Sequence, residues 1–332
     1  MEAKPIGELP DGEGWQYEPK WDGFRCIASV KGGEVDLQSR AGKPLARYFP
    51  EVVAGLAGLP DVVMDGELLI PVGTTLSFGA LQARLHPAES RIRKLSAETP
   101  ARLMLFDLLW SLQEGAIAER PLADRRAALE RFHAAHRSPM LRLSPATDSR
   151  ATAEKWLGAA GGALDGVVAK RLDEPYRPGE RAMRKIKRLR SADCVVGGFR
   201  YGTGEPLVAS LLLGLYDDAG LLHHVGHTSG LAALDRAALT QELEALVEAP
   251  GFTGDAPGAP SRWQTDRSTE WQPLRPELVA EVRYDHVTDR RFRHGTALLR
   301  WRPDKAARQC TMEQLGEEPR PSVVEAALAE PS

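Results

Sequence analysis

The sequence has little of what marks secreted, membrane or metal-thiolate proteins. It contains three cysteines, Cys26, Cys194 and Cys310, and no Cys-x-x-Cys pair, which excludes a disulfide framework and a thiolate zinc site. No run approaches the roughly 18 uninterrupted apolar residues of a membrane helix, and the first residues lack the apolar core of a signal peptide. We therefore expect a cytoplasmic protein without a membrane partner, whose thiols are buried or incidental.

The chain also lacks a strong net charge, because 43 lysines and arginines face 46 aspartates and glutamates, giving −3. Net charge averages over patches, however, and patches decide where a polyanion binds. Six cations and no acid lie between Arg181 and Arg190, and a second basic concentration runs from Arg290 to Lys305. The near-neutral balance therefore does not exclude a nucleic-acid partner.

A length of 332 residues with ordinary composition predicts two domains rather than one core or a disordered chain. Residues 1–190 mix strand-like runs with amphipathic helices over 49–59, 76–85, 124–136 and 151–160, which predicts an α+β domain. Residues 191–312 hold five strand-like runs and a helix over 231–247, a pattern that suits a small OB-fold β-barrel. We interpret 250–276 as a long loop in this second domain and 313–332, with Glu313, Glu317, Glu318, Glu325 and Glu330, as an acidic, frayed tail.

Seven short motifs follow one another along the chain. Each alone fits a charged turn or a strand end, but their joint order and spacing are far more specific. They are Lys20-Trp21-Asp22-Gly23-Phe24-Arg25, Ser39-Arg40-Ala41-Gly42, Asp65-Gly66-Glu67-Leu68, Leu105-Phe106-Asp107, Asp165-Gly166-Val167-Val168-Ala169-Lys170, Lys185-Ile186-Lys187 and Arg302-Pro303-Asp304-Lys305.

These motifs resemble those of the covalent nucleotidyltransferase superfamily of ATP-dependent DNA ligases, RNA ligases and mRNA capping enzymes, and most of all the small bacterial type C ligases. The likeness spans about Glu18 to Lys305. It implies an adenylation (nucleotidyltransferase) domain followed by an OB-fold domain, ATP with AMP held covalently on Lys20, and Mg²⁺, with Mn²⁺ as the alternative metal. The implied substrate is nicked or short-gapped duplex DNA, sealed in repair by a monomer that is nucleoid-associated when it is bound to DNA.

The resemblance also assigns roles to residues. Lys20 is the nucleophile, Glu18 contacts adenine and Phe106 stacks on it. Glu67 contacts the ribose or the metal, and Asp165 holds the metal, although many members have glutamate where Asp165 stands. Asp22 is a further nucleotide contact, Arg25 and Arg40 match residues around the ribose and phosphates, and the expected phosphate-binding residues are Lys170, Lys185 and Lys187, joined by Arg181. The OB-domain motif supplies Arg302, Asp304 and Lys305. Arg188 and Arg190 are the expected DNA contacts.

The chemistry of these residue types is consistent with the assigned roles. A lysine amine can carry a nucleotide monophosphate as a reactive phosphoramidate. Neighbouring cations such as Lys185, Lys187 and Arg25 are expected to lower the pKa of Lys20 and to clamp the phosphoryl oxygens.

Other functions compete with this interpretation. An NAD-dependent ligase is excluded, because nineteen residues precede Lys20 and there is no cysteine cluster. A capping guanylyltransferase is disfavoured by Glu18 and by the style of the C-terminal motif, and an RNA ligase more often lacks this OB domain. A non-catalytic OB protein could grip single strands with Trp263, Trp271 and Tyr201 but leaves the N-terminal motifs unexplained.

Two further patterns are interpreted as ordinary structure. The histidines at 133 and 136 and those at 223, 224 and 227 have spacings that could chelate a metal, but we assign them to polar surface. Gly161-Gly162 precedes a strand and is therefore interpreted as a turn rather than a phosphate cradle.

Overall fold

The computed structural model describes residues 1–73, 75–160, 164–231, 233–258, 270–288, 290–315 and 324. The chain divides into unit 1, Met1–Arg188 with Pro319–Ser332, and unit 2, Leu189–Glu318. The division lies two residues before the boundary proposed from the sequence.

Unit 1 contains two β-sheets. The four-stranded sheet has the order β1-β12-β11-β2, and the six-stranded sheet has the order β10-β8-β5-β3-β4, with β9 beside β8. A small hairpin, β6-β7, is separate. The strands are β1 (Ala3–Pro5), β2 (Trp15–Trp21), β3 (Phe24–Lys31), β4 (Glu34–Ser39), β5 (Val62–Leu69), β6 (Pro71–Val72), β7 (Thr75–Leu76), β8 (Arg102–Ser111), β9 (Gly115–Ala116), β10 (Leu141–Leu143), β11 (Leu164–Arg171) and β12 (Met183–Lys187).

Five helices accompany these sheets: α1 (Pro50–Leu56), α2 (Phe78–Arg84), α3 (Glu89–Glu98), α4 (Leu122–Ala135) and α5 (Arg150–Gly158). Serine N-caps fix the first turn of two of these helices. The Ser77 hydroxyl accepts a hydrogen bond from the Ala80 amide at α2, and the Ser149 hydroxyl accepts one from the Thr152 amide at α5. The six-stranded sheet buries one face against α1 and α4, and residues such as Ala28, Met64 and Leu105 are fully buried in that core.

Unit 2 is built on a mainly antiparallel sheet. It comprises β13 (Arg190–Gly202), β14 (Glu205–Tyr216), β15 (Leu222–Thr228), β16 (Gln272–Pro273), β17 (Val279–Tyr284), β18 (Val287–Thr288), β19 (Arg291–Phe292), β20 (Ala297–Trp301) and helix α6 (Arg236–Glu244). The strand order β15-β14-β13-β17-β20 leaves two edges. These edges meet at one bridge, where the Thr228 hydroxyl donates to the Thr296 carbonyl at 2.9 Å, so the sheet curls back on itself as in a partly open OB barrel.

The α+β class and the five main strands of unit 2 are confirmed, but several bounds differ. The helix expected over 231–247 is the shorter α6, because the Asp235 carboxylate caps it by accepting from the Ala237 and Ala238 amides. Strand β1 and helix α3 were not anticipated. The described parts of 250–276 contain only the short strand β16, while Trp263 and the Gly161-Gly162 turn lie outside the described residues. The expected tail begins inside the 3-10 turn Met312–Leu315, and its other acidic residues are outside the described part.

Candidate active site

Lys20 lies at the point where the chain passes from one sheet of unit 1 to the other. It is the penultimate residue of β2, and the Asp22-Gly23 turn leads directly into β3 of the six-stranded sheet. A Cβ on Gly23 would lie 2.3 Å from the Leu68 carbonyl oxygen and 2.7 Å from Cγ of Glu67. Glycine is therefore required here because it lets the turn approach β5 and brings Glu67 close to the lysine motif.

A β-bulge in strand β11 presents Asp165 to Lys20. The register of β11 against β2 shifts between Leu164 and Gly166, which leaves Asp165 outside the regular pairing. Lys20 Nζ donates to Asp165 Oδ2 at 2.6 Å, and Lys187 Nζ from β12 lies 3.1 Å from the same oxygen. Gly166 has a φ of +147°, and a Cβ there would lie 2.0 Å from the Ile186 carbonyl oxygen, so the bulge depends on glycine.

This arrangement determines the ionisation of the carboxylate. Burial favours the neutral acid, but the two lysines outweigh it and hold the pKa of Asp165 well below its usual value. Lys185 lines the same region, and its pKa is lowered by burial and then by repulsion from Lys20 and Lys187. The sequence predicted cations near Lys20, but it did not predict that Asp165 binds Lys20 directly.

The opposite end of the site contains a second buried ion pair. Lys170 Nζ lies 2.8 Å from Glu18 Oε1, and the Gln16 amide donates to the same oxygen at 2.7 Å. Lys170 Nζ also lies 4.7 Å from the centre of the Phe106 ring, and the Arg25 guanidinium carbon is 5.6 Å from it. Lys170, which was expected at the phosphates, is therefore brought together with the two residues expected to recognise adenine.

Glu67 is a further carboxyl group of the site. Burial raises its pKa to about 8, nearby Asp65 and Asp22 reinforce the shift, and Lys20 and Arg25 oppose it. Asp65 is itself fully buried and is bound by Arg25 at 2.5 and 3.0 Å and by the Tyr176 hydroxyl at 2.8 Å. Because Arg25 is already paired with Asp65, it does not neutralise Glu67.

A cavity of about 520 Å³ joins these groups within unit 1. Of the residues predicted to bind the nucleotide, nine line it: Glu18, Lys20, Arg25, Arg40, Glu67, Phe106, Lys170, Arg181 and Lys185. Asp165 binds the cavity residue Lys20, Lys187 binds Asp165, and Asp22 is buried in the adjoining turn. Charged and aromatic side chains thus surround a space of the size of a ligand pocket.

The remaining predicted residues lie elsewhere. Arg302 and Lys305 of unit 2 both bind Asp193, at 2.8 and 2.7 Å, and Arg302 also binds Asp304. Arg188 is exposed and donates to the Gly158 carbonyl. The guanidinium of Arg190 lies 5.0 Å from the Tyr284 ring centre.

Sequence reasoning missed several residues of these networks. Tyr176 accepts from Arg25 at 3.4 Å and Asp193 binds Arg302. The cavity is also lined by Ala3 and Pro5 of β1 and by the preceding Glu2. Strand β1 pairs in parallel with β12, from which it is separated by about 180 residues of sequence. No local pattern in the N-terminal residues signals that pairing.

The competing interpretations can be compared with the structure. Trp271 packs on Phe252 at 5.5 Å between ring centres and on the core of unit 2, so it is not a free stacking platform.

The three cysteines are buried thiols. Among the described residues, no three His, Cys, Asp or Glu side chains are grouped to hold a metal, and no helix is long and apolar enough to cross a bilayer. His224 is 7% exposed, so assigning it to the surface was wrong.

Comparisons with known proteins agree with this geometry. The family described as ATP dependent DNA ligase domain matches residues 6–187, and the ATP dependent DNA ligase C terminal region matches residues 204–305. The chain is 46% identical to DNA ligase C2 of Mycolicibacterium smegmatis over 98% of this chain and 96% of that protein. It is 42% identical to DNA ligase C of Mycobacterium tuberculosis over 95% and 92%. A solved structure of Lig E DNA ligases shares the fold, with a TM-score of 0.55 at 16% identity, covering 91% of this chain and 100% of that one.

Proposed function

This chain belongs to the family of ATP-dependent DNA ligases and seals nicks in DNA, and from that premise we propose how its own residues perform the reaction. Lys20 is the nucleophile. The observation that carries this assignment is that Lys20 Nζ lies in the cavity, fixed at 2.6 Å by Asp165. Glu18, Lys170 and Phe106 bind the adenine end, while Arg40, Arg181, Lys185 and Lys187 bind the phosphates.

The reaction then consists of three phosphoryl transfers. Lys20 Nζ, positioned by Asp165 Oδ2, gives up a proton to solvent and attacks the α-phosphorus of ATP. A P–N bond forms and the bond to the β-phosphate breaks, releasing pyrophosphate. An oxygen of a 5′-phosphate next displaces Lys20, which regains its proton, and the AMP moves to the DNA end. The 3′-hydroxyl finally attacks that 5′-phosphorus and expels AMP, with Lys185 and Lys187 positioned to offset charge on the transferring group.

The carboxyl groups of the site fit the divalent metal that the family requires. Carboxylate oxygens are the donors that Mg²⁺ prefers. The burial-raised pKa of Glu67 indicates an acid that no side chain of the site fully neutralises, and Asp165 remains ionised between Lys20 and Lys187. Glu67 and Asp165 would hold Mg²⁺, which would neutralise charge on the phosphates. Because aspartate is shorter than glutamate, we propose that the contact of Asp165 is made through water.

We propose a nicked or short-gapped duplex as the substrate and repair as the setting. Arg188 and Arg190 contribute to DNA binding, and the residues Arg302, Asp304 and Lys305 assist the first step. Asp193 holds Arg302 and Lys305 so that their charged groups keep one geometry.

Labelling tests the central assignment. The full-length protein, incubated with Mg²⁺ and α-labelled ATP, GTP or NAD in turn, is expected to take label from ATP alone. Lys20→Ala should abolish the label, whereas Lys94→Ala on the exposed face of α3 should keep it. Peptide mass mapping should place AMP on Lys20. Label on Lys185 or Lys187 instead would reassign the nucleophile, and label from GTP would favour a capping-type activity.

A further inference from the structure

Two arginines of unit 2 have no carboxylate partner among the residues that the structure describes, whereas others in the same unit have one. Other arginines of the unit each lie close to a carboxylate oxygen: Arg236 at 3.6 Å, Arg300 at 2.7 Å and Arg302 at 2.8 Å. Arg200 on β13 is half-buried, and its Nε is shielded from solvent with no hydrogen-bond partner among the described residues. Burial lowers its pKa, with no acidic group opposing the shift. Such a cation is costly to bury unless an anion compensates it.

The second arginine, Arg291 on β19, is bound by a histidine. Its Nη2 lies 2.6 Å from His224 Nδ1, which lies on β15. A guanidinium has only donors, so Nδ1 must accept and the neutral ring carries its proton on Nε2. Burial, together with Arg291 and Arg200, lowers the pKa of His224 to about 3, with a slight opposing effect from the Gly226 backbone. His224 therefore orients Arg291 without neutralising it.

The packing around His224 is rigid. Its ring meets Phe252 edge-on at 5.4 Å between centres, and Phe252 lies where a Cβ on Gly197 or Gly214 would be, at 2.7 and 2.9 Å. Nε2 of His224 has no hydrogen-bond partner among the described residues. His227 lies on the same strand, and its pKa is lowered by partial burial and then by the nearby Arg200. The result is a fixed local concentration of positive charge with no described carboxylate to balance it.

We propose that Arg200 and Arg291, the latter oriented by His224, bind one phosphodiester group of the DNA strand on unit 2. The planar guanidinium fork matches phosphate geometry, and two forks held by the strands need little ordering to bind it. The inference rests on the proposed function, because that function supplies the polyanion.

The salt dependence of DNA binding tests this site. The full-length protein, kept in EDTA so that no sealing occurs, is titrated into a fluorescent nicked duplex at several salt concentrations between about 50 and 200 mM. The double variant of Arg200→Gln and Arg291→Gln should reduce the slope of log K against log salt by about 0.9, the value for one lost phosphate contact. Each single variant should reduce the slope by a smaller amount, because the remaining arginine still faces the same phosphate. Arg91→Gln on α3, an exposed residue of unit 1, is the matched charge control.

A second pair of variants separates orientation from folding. His224→Asn keeps an acceptor near the position of Nδ1 and should keep the parental slope. His224→Leu removes the acceptor and should behave like Arg291→Gln while its thermal melt stays close to that of His224→Asn. Equal slopes for His224→Asn and His224→Leu would overturn the orienting role.

The outcomes distinguish this inference from the proposed function. If the parental slope persists in the double variant, or if Arg91→Gln changes it as much, the phosphate site is refuted. If Arg200→Gln and Arg291→Gln lose adenylation from ATP but keep the DNA slope, the arginines serve the nucleotide and the inference also fails. If the parent protein takes no label from ATP, the proposed mechanism fails, while the slopes still report on this site.

Discussion

The ionisation of Glu67 should be measurable as a dependence of stability on pH. Its pKa is raised from 4.5 to about 8, so between these values the folded protein holds a proton that the unfolded chain releases. The stabilising effect of this proton is complete below pH 4.5 and is lost as the pH rises through about 8. The full shift corresponds to about 4–5 kcal/mol at about 1.36 kcal/mol per pH unit. Because the side chain is only half-buried, we expect about 2 kcal/mol to remain.

Glu67→Gln isolates this contribution, since glutamine resembles the protonated acid at every pH. At pH 5 the variant and the parent should melt together. At pH 8.5 the variant should be more stable by about 2 kcal/mol, or about 4–8 °C in Tm for a domain of this size. Added Mg²⁺ should narrow that difference by stabilising the parent, because only the ionised carboxylate can bind the ion. The same variant should be defective in adenylation, so its gain in stability would be opposite in direction to its loss of activity.

The control is Glu98→Gln on the exposed face of α3, which should show no pH-dependent difference from the parent. The reasoning is refuted if Glu67→Gln differs from the parent by the same amount at pH 5 and pH 8.5. It is also refuted if Glu67→Gln is the less stable protein at pH 8.5, because the Glu67 carboxylate of the parent would then be stabilised by its surroundings.

Three other changes have defined outcomes. Gly166→Ala should lower the free energy of unfolding, measured with denaturant, by about 2–3 kcal/mol, because the new Cβ would lie 2.0 Å from the Ile186 carbonyl oxygen. The same variant should slow adenylation. A fully active and equally stable variant would contradict the claim that the bulge depends on glycine. Arg125→Met should lower the free energy of unfolding by about 3–5 kcal/mol, because it leaves the buried Asp107 without the guanidinium that binds it at 2.8 and 3.0 Å. The double variant with Asp107→Leu should recover much of this loss. A double variant as unstable as the single one would argue against an uncompensated charge as the cause. Replacing Arg188 and Arg190 together by alanine should flatten the salt dependence of nicked-duplex binding, and an unchanged slope would remove both from the DNA-binding surface.

The order of the motifs predicted much of the site because its residues lie on strands that local sequence encodes. Lys20, Glu67 and Phe106 each lie in or at the end of an apolar run that is recognisable by itself. Their partners were harder to predict. Tyr176 is in a loop segment, and its bond to Asp65 joins residues 111 positions apart, a contact that no local periodicity records. The pairing of β1 with β12 has the same cause, since it depends on sheet assembly rather than on local propensity.

The Asp165 bulge shows how a local signal and a distant contact combine. The Asp-Gly pair in the sequence marks a possible irregularity in a strand, but only the register against β2 shows that the aspartate points at Lys20. This contact gives the nucleophile a fixed partner. Lys20 Nζ and Lys187 Nζ lie 2.6 and 3.1 Å from the same oxygen of Asp165, and the two lysines keep this buried carboxylate ionised. The position of Lys20 Nζ therefore depends on the pairing of β11 with β2, which the order of the motifs does not encode.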